Sequence, residues 1–189
     1  MTTIAVSHVK GGVGKTTFTY GLAIELANRG RTVELIDRDQ NNTSLTKLVQ
    51  VEHLPAGVFL RNGVVHEADL HLLDCPPAID DVNVRSIAEA DALVVPAIPE
   101  RLVLDVLVDM LAMVRQVKRY NPTLRVALVP NLVRQQWPAH AAFIEAMARL
   151  AHEHGLDLLE AVPSRQAIML GDWRSRPLKH VADWVLRGQ

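Results

Sequence analysis

Apolar residues fall along this chain in short runs and spaced stripes that take turns. Thr2-Thr3-Ile4-Ala5-Val6-Ser7 is short, β-branched and apolar, and predicts a buried strand. From Thr16 to Arg29, Phe18, Leu22 and Leu26 recur four apart, the spacing of a helix packed by one face, with Gly30 as its C-cap. Further strands are predicted at Thr32 to Ile36, Leu70 to Leu73, Ala92 to Pro96, Leu124 to Val129 and Leu158 to Val162. Helices are predicted from Thr43 to Val51, from Pro99 and Glu100 to about Arg119, from Pro138 to His154 with Gly155 as cap, and onward from Pro177. The long helix carries Val103, Leu107, Met110, Val114 and Val117 on one stripe. Leu104, Val108 and Leu111 lie beyond that stripe, which signals either deep burial or part of a dimer surface. Pro55-Ala56-Gly57 and Arg61-Asn62-Gly63 read as turns, and few accessory elements are expected across residues 43–69. Strands alternating with helices predict an α/β fold, a mostly parallel sheet covered by helices on both faces.

The chain's 189 residues predict a single domain, 1–189, with one sizeable core. One cysteine, Cys75, excludes an internal disulfide, and no signal peptide is read at the N-terminus. The most apolar segment, Leu102 to Val117, is interrupted by Asp105 and Asp109, so no membrane span is predicted and a cytoplasmic protein is expected. The net charge of −1 carries no whole-protein argument for nucleic acid. It is a sum of unlike segments: Glu67 to Asp109 holds ten acidic and two basic residues, Met110 to Arg134 five basic and none acidic, and Ala161 onward five basic and two acidic.

The candidate chemistry lies between the first strand and the first helix, at Lys10-Gly11-Gly12-Val13-Gly14-Lys15-Thr16-Thr17. Glycines let the main chain approach an anion closely, and the N–H groups of the turn and helix start then point at phosphates. Lys15 is placed to reach the β- and γ-phosphates, and the Thr16 hydroxyl to sit on Mg²⁺. The general phosphate-loop pattern asks for a glycine where this chain has Val9; a second lysine, Lys10, stands before the glycines instead. Asp37-Arg38-Asp39-Gln40 ends the second strand and Asp74-Cys75-Pro76-Pro77 the third, where ligands bind in such sheets. Asp74, after an apolar run, is a candidate to hold Mg²⁺ or its water. Cys75 reads as a small loop residue, since no histidine is placed beside it. His152-Glu153-His154 is no metal site, because residues two apart on a helix do not share a face.

The loop from Lys10 to Thr17 resembles the deviant Walker A motif of the ParA/MinD family of ATPases, and the resemblance extends over essentially the whole chain, nearest to the small partition ATPases. It implies a P-loop NTPase fold of the deviant Walker A type. It also implies that Lys10 reaches across a nucleotide-sandwich dimer to the partner subunit's phosphates. Asp37-Arg38-Asp39 resembles the family's Asp-x-Asp-Pro-Gln motif, with the proline absent and Gln40 one place early. By resemblance Asp39 orients the attacking water and Asp37 lies near the metal. Asp-x-Pro-Pro resembles the family's switch region. Asn131 is a candidate to read the adenine base, with a turn or capping asparagine as the alternative. Pro163-Ser164-Arg165-Gln166 resembles the loop whose backbone lies against the adenine.

These readings lead to an ATPase using ATP and Mg²⁺, with Lys10, Lys15 and Asp39 catalytic. Gly11, Gly12, Val13, Gly14, Lys15, Thr16, Thr17, Asn131, Pro163 and Ser164 would bind ATP, and Thr16, Asp37 and Asp74 the metal. The resemblance implies a homodimer with ATP, non-specific binding to double-stranded DNA, a nucleoid-associated location and release by a small basic ParB-like adaptor, for partition or cargo positioning. Candidate DNA contacts are Arg134, Arg165, Arg174, Arg176 and Lys179, with Arg115, Lys118 and Arg119 behind them. No separate DNA-binding domain is expected ahead of a nucleotide strand starting at Thr2. A MinD-like membrane-cycling ATPase is the alternative, through Leu178, Val181, Trp184 and Val185 on one side of the last helix. A metabolic ligase on the same scaffold is another. An iron–sulfur reductase is excluded, since it needs two cysteine ligands per subunit.

Overall fold

The computed structural model describes residues 1–164 and 177–188. Seven parallel strands form one sheet in the order β3-β2-β4-β1-β5-β6-β7. They are β1 (Thr2–Val6), β2 (Val33–Asp37), β3 (Val58–Leu60), β4 (Leu70–Asp74), β5 (Ala92–Ala97), β6 (Arg125–Pro130) and β7 (Asp157–Leu158). Six helices are described: α1 (Lys15–Ala27), α2 (Ser44–Val51), α3 (Asp81–Ala88), α4 (Arg101–Val117), α5 (Pro138–His154) and α6 (Lys179–Leu186).

The period-2 geometry of a strand sends alternate residues to opposite faces, and both faces are apolar here. Ile4, Val6, Leu70, Leu72, Val94, Ala127 and Val129 pack under α1, α2 and α6. Ala5, Leu73, Leu93, Val95, Val126 and Leu128 pack under α3, α4 and α5. Phe18, Leu22 and Leu26 are buried as their spacing predicts. Yet α1 is buried on most of its circumference, because α2 and α6 flank it on the sheet. On α4 the predicted stripe is buried and Leu111 with it, while Leu102 and Val108 stay exposed.

Three elements were not foreseen in kind or extent. β3 is a full edge strand within the segment expected to be plain, paired to β2 from Val33↔Val58 to Leu35↔Leu60. Its return loop serves a buried charge on β2. Glu34 is ion-paired with Arg61 and accepts the His66 N–H at 2.9 Å. Burial opposes its ionised form, but these partners hold its carboxyl below the usual value. α3 has too few apolar positions to show as a stripe; Asp80 caps it by accepting the Asn83 N–H at 2.8 Å. β7 is shorter than predicted, and the chain beyond it zips to the loop after β6 through a Val133↔Pro163 bridge.

The last helix bears on the membrane alternative. Leu178, Val181, Ala182, Trp184 and Val185 are all buried against the body of the protein. The Trp184 indole N–H donates to Asp157 at 2.8 Å, and the Arg125 guanidinium lies 4.2 Å from the ring centroid. Arg29, from the end of α1, is ion-paired with Asp183 and donates to the Lys179 carbonyl at 2.8 Å. The apolar side of α6 is therefore part of the core. Among the described residues no helix is long and apolar enough to cross a membrane. Trp184→Ala should destabilise the fold by about 3–5 kcal/mol, the usual cost of truncating a buried tryptophan, measured by denaturant unfolding.

Candidate nucleotide site

The three central strands end level with one another. Val6 pairs with Asp74 across β1 and β4, and Asp74 with Asp37 across β4 and β2. This register brings two carboxylates side by side where the chain leaves β1 for the glycine loop. A cavity of about 440 Å³ opens there, lined by Gly11, Gly12, Gly14, Lys15, Thr16, Thr17, Asp39, Asn42, Ser44, Leu48, Cys75 and Pro77.

Gly14 opens α1 with φ 85°, a left-handed backbone that side chains other than glycine rarely adopt. A Cβ on it would meet the Asn131 Nδ2 at 3.1 Å. That amide donates to the Val13 carbonyl at 3.0 Å, so buried Asn131 clamps the phosphate loop from the end of β6. The loop is held at its start as well. The Lys10 N–H donates to Nδ1 of fully buried His8 at 3.0 Å, which leaves the ring proton on Nε2. Burial, with Lys15 and Lys10 nearby, pulls the His8 imidazole down to about 4, so it is neutral.

Lys15 lines the cavity and donates to the Lys10 carbonyl at 3.4 Å. Burial lowers its ammonium, opposed by Asp74, Cys75 and Asp39. The Thr16 hydroxyl donates to Asp74 at 2.7 Å, and Thr19, one turn on, approaches the other oxygen at 3.4 Å. Burial raises the Asp74 carboxyl to about 7; neighbouring Asp37 adds to the rise and Thr16 opposes it. Burial likewise pushes the Cys75 thiol up to about 12, so it is no nucleophile at neutral pH.

Asp39 is buried and fixed by Asn42, whose N–H and Nδ2 donate to it at 3.2 and 2.9 Å. Asp37 is used differently: one oxygen accepts the Asp39 N–H at 3.1 Å, the other the Thr46 N–H and hydroxyl at 3.0 and 2.9 Å. It caps α2 through Thr46 and is not among the residues that line the cavity. The Thr16 hydroxyl and Asp74 carboxylate are hard oxygen donors that fit Mg²⁺. Among the described residues no group of three or more His, Cys, Asp or Glu could hold a metal, so a cation here needs phosphate oxygens and water as further ligands.

Pro163 and Ser164 line a second cavity, about 380 Å³, with Val133, Arg134, Gln135 and Gln136. The Arg134 guanidinium lies 4.6 Å from the centroid of the exposed Trp137 ring. Arg134 follows β6, at the phosphate-loop end of the sheet, whereas Lys179 lies at the far end of α1 beside Arg29. These two basic residues are not brought into one patch of a subunit. Arg165, Arg174 and Arg176 lie outside the described residues. Arg115, Lys118 and Arg119 cluster at the end of α4, where Arg115 contacts His154 at 3.3 Å. Sequence reading passed over Asn42, Thr46 and Thr19. Asn42 follows Asp39 by three residues, a short-turn spacing visible in the sequence. Thr46 lies nine residues beyond Asp37 and Thr19 55 residues before Asp74, and both contacts need the fold.

The two shifted groups give opposite pH dependences to the nucleotide-free protein. His8 is harder to protonate folded than unfolded, so its contribution is complete above its ordinary 6.5 and falls by about 3 kcal/mol as pH drops to 4. Asp74 holds its proton more tightly folded, so its contribution is complete below 3.8 and falls by about 4 kcal/mol as pH rises to 7. Denaturant unfolding between pH 4 and 7 should therefore separate two variants. Relative to wild type, His8→Asn gains stability on acidification and Asp74→Asn loses it.

Comparison with known proteins agrees with this geometry. The chain is 27% identical over 180 residues to the maintenance of carboxysome distribution protein A of Halothiobacillus neapolitanus, covering 88% of this chain and 81% of that one. It is 30% identical over 164 residues to the chromosome-partitioning ATPase Soj of Thermus thermophilus, covering 65% and 66%. Apo McdA of Cyanothece superposes with a TM-score of 0.80 at 17% identity over 100% of this chain and 99% of that one. Cobyrinic acid a,c-diamide synthase of Mycobacterium smegmatis with ADP and magnesium does so at 0.76 and 20% identity, over 97% and 96%. Residues 4–177 match the CobQ/CobB/MinD/ParA nucleotide-binding domain. The chain, with its two-lysine phosphate loop and level aspartates, belongs to that family of nucleotide-binding proteins.

Proposed function

We propose that this chain is a ParA-like ATPase that dimerises around Mg²⁺ and ATP, binds double-stranded DNA without sequence preference in that state, and is released when a partner protein stimulates hydrolysis. The observation that carries the reading is the division of labour between the lysines of one loop. Lys15 lines the cavity; Lys10 is directed to Glu100 on the neighbouring loop. A second cation held outside its own cavity suits the phosphates of another subunit. Exposed Ile79 and Val82, beside the Asp74 loop, and Leu102, beside Glu100, give the same end an apolar rim that supports a protein partner.

In this reading Lys15 and the loop N–H groups neutralise the phosphates, and Thr16 with Asp74 holds Mg²⁺, which would shield the charge of the transferred group. Asp39, locked by Asn42, orients the water that attacks the γ-phosphorus while ADP leaves. Catalysis is by position and charge. Asn131 clamps the loop through the Val13 carbonyl and would be the side chain to read the adenine base. The similarity to a carboxysome distribution protein and to the chromosome-partitioning ATPase Soj supports a role in spacing cargo or segregating DNA. The stimulating partner in this proposal is a small basic adaptor. The buried apolar side of α6 weighs against a membrane cycle.

Two results test this. Asp39→Ala should retain ATP binding, lose hydrolysis and sediment as an ATP-bound dimer; a monomer would contradict the role given to Asp39. DNA binding should require ATP rather than ADP and be equal on random duplexes. Its log–log salt slope should be about −0.9 per phosphate neutralised, on the order of a thousandfold between about 50 and 200 mM for roughly six contacts. Equal binding with ADP would remove the switch.

A further inference from the structure

We infer that Glu100 is a positioning residue for Lys10: it holds the lysine within its own chain in the free subunit, and ATP-driven dimerisation has to release it. This rests on the reading of Lys10 as the residue that serves the partner's phosphates. β1 and β5 are parallel neighbours, paired from Ile4↔Ala92 to Val6↔Val94. Their C-terminal ends therefore emerge side by side, Lys10 four residues beyond Val6 and Glu100 three beyond Ala97. Every polar group of Lys10 is engaged in cis. Its ammonium is ion-paired with Glu100, its N–H donates to His8 at 3.0 Å, and its carbonyl accepts from Lys15 at 3.4 Å.

Glu100 is held equally firmly. It follows Pro99, its N–H donates to the Ile98 carbonyl at 2.8 Å, and its carbonyl accepts the Val103 N–H at 3.0 Å. It is the N-cap residue of α4, where the helix dipole favours a negative charge. Its carboxylate makes no capping hydrogen bond to that helix, so its charge is directed to Lys10. The side chains are 27% and 53% exposed for Lys10 and Glu100, which makes the contact weak and reversible. An exposed pair of this kind shifts an equilibrium about 1.5- to fivefold, and a dimer that opens two shifts it up to about 25-fold. A latch of that size delays dimerisation until nucleotide supplies a stronger anion, without preventing it.

The test is sedimentation of wild type, Glu100→Gln, Lys10→Ala and the double variant, each with ATP and with ADP, after thermal unfolding has compared their stabilities. Glu100→Gln keeps the size and removes the charge at a half-exposed position. With ATP it should dimerise at several-fold lower protein concentration than wild type, and with ADP remain monomeric. The double variant should match Lys10→Ala, because without the lysine there is nothing to release. Dimerisation of Glu100→Gln equal to or weaker than wild type, with Lys10→Ala monomeric, overturns the latch and leaves the role of Lys10 standing. Dimerisation of Lys10→Ala equal to wild type overturns that role and the latch with it, as does the absence of an ATP dimer in both wild type and Glu100→Gln.

Discussion

The level ending of β1, β4 and β2 is the constraint on which the site depends. Strand register is set by hydrogen bonds and by the alternation of buried side chains, and a slip of one residue would turn every side chain to the other face. Because Val6, Asp74 and Asp37 are held in line, the glycine loop leaves the sheet directly beside two carboxylates. Placing Asp74 there in near-complete burial is unfavourable, which is why its carboxyl is raised to about 7. Thr16 and Thr19 soften that cost with hydroxyls, and Lys15 with its charge. The same arrangement favours a divalent cation and phosphates, which would complete the balance of charge.

Around this line the loops are fixed from several sides by groups distant in sequence. Asn131 holds Val13, and His8 holds the Lys10 amide. Asn83, fully buried on α3, accepts the Ser7 hydroxyl at 2.8 Å and donates to the Ala78 carbonyl at 2.5 Å, so the loop after β4 is tied to the end of β1. Each bond satisfies a polar group that burial would otherwise leave at a cost. The sheet beneath is apolar on both faces, so the polar chemistry gathers at its C-terminal edge, as in other open parallel sheets.

Much of this was legible in the sequence because it is local. The strand, glycine turn and helix around Lys15 lie within about thirty residues, and buried parallel strands read as plain apolar runs. The C-terminal cap at Gly155, with φ 61°, and the buried stripe of α4 follow from spacing alone. Elements with weak patterns escaped: α3 has few apolar positions, and β3 is a three-residue edge strand recognisable only by its pairing to β2.

The sequence by itself determined the fold class, the phosphate loop and the identity of the carboxylates, since each is written in neighbouring residues and in periods of two or near four. Only the tertiary structure decided which carboxylate faces which group. Asp37 and Asp39 are two residues apart, yet one caps α2 and the other lines the cavity. The amphipathic pattern of α6 suits a membrane surface and a protein core equally; Trp184 bonded to Asp157 makes it core. The pairing of Lys10 with Glu100 joins residues ninety apart, brought together because parallel strands β1 and β5 end side by side. Contacts of that kind depend on strand order and register, which no local pattern encodes.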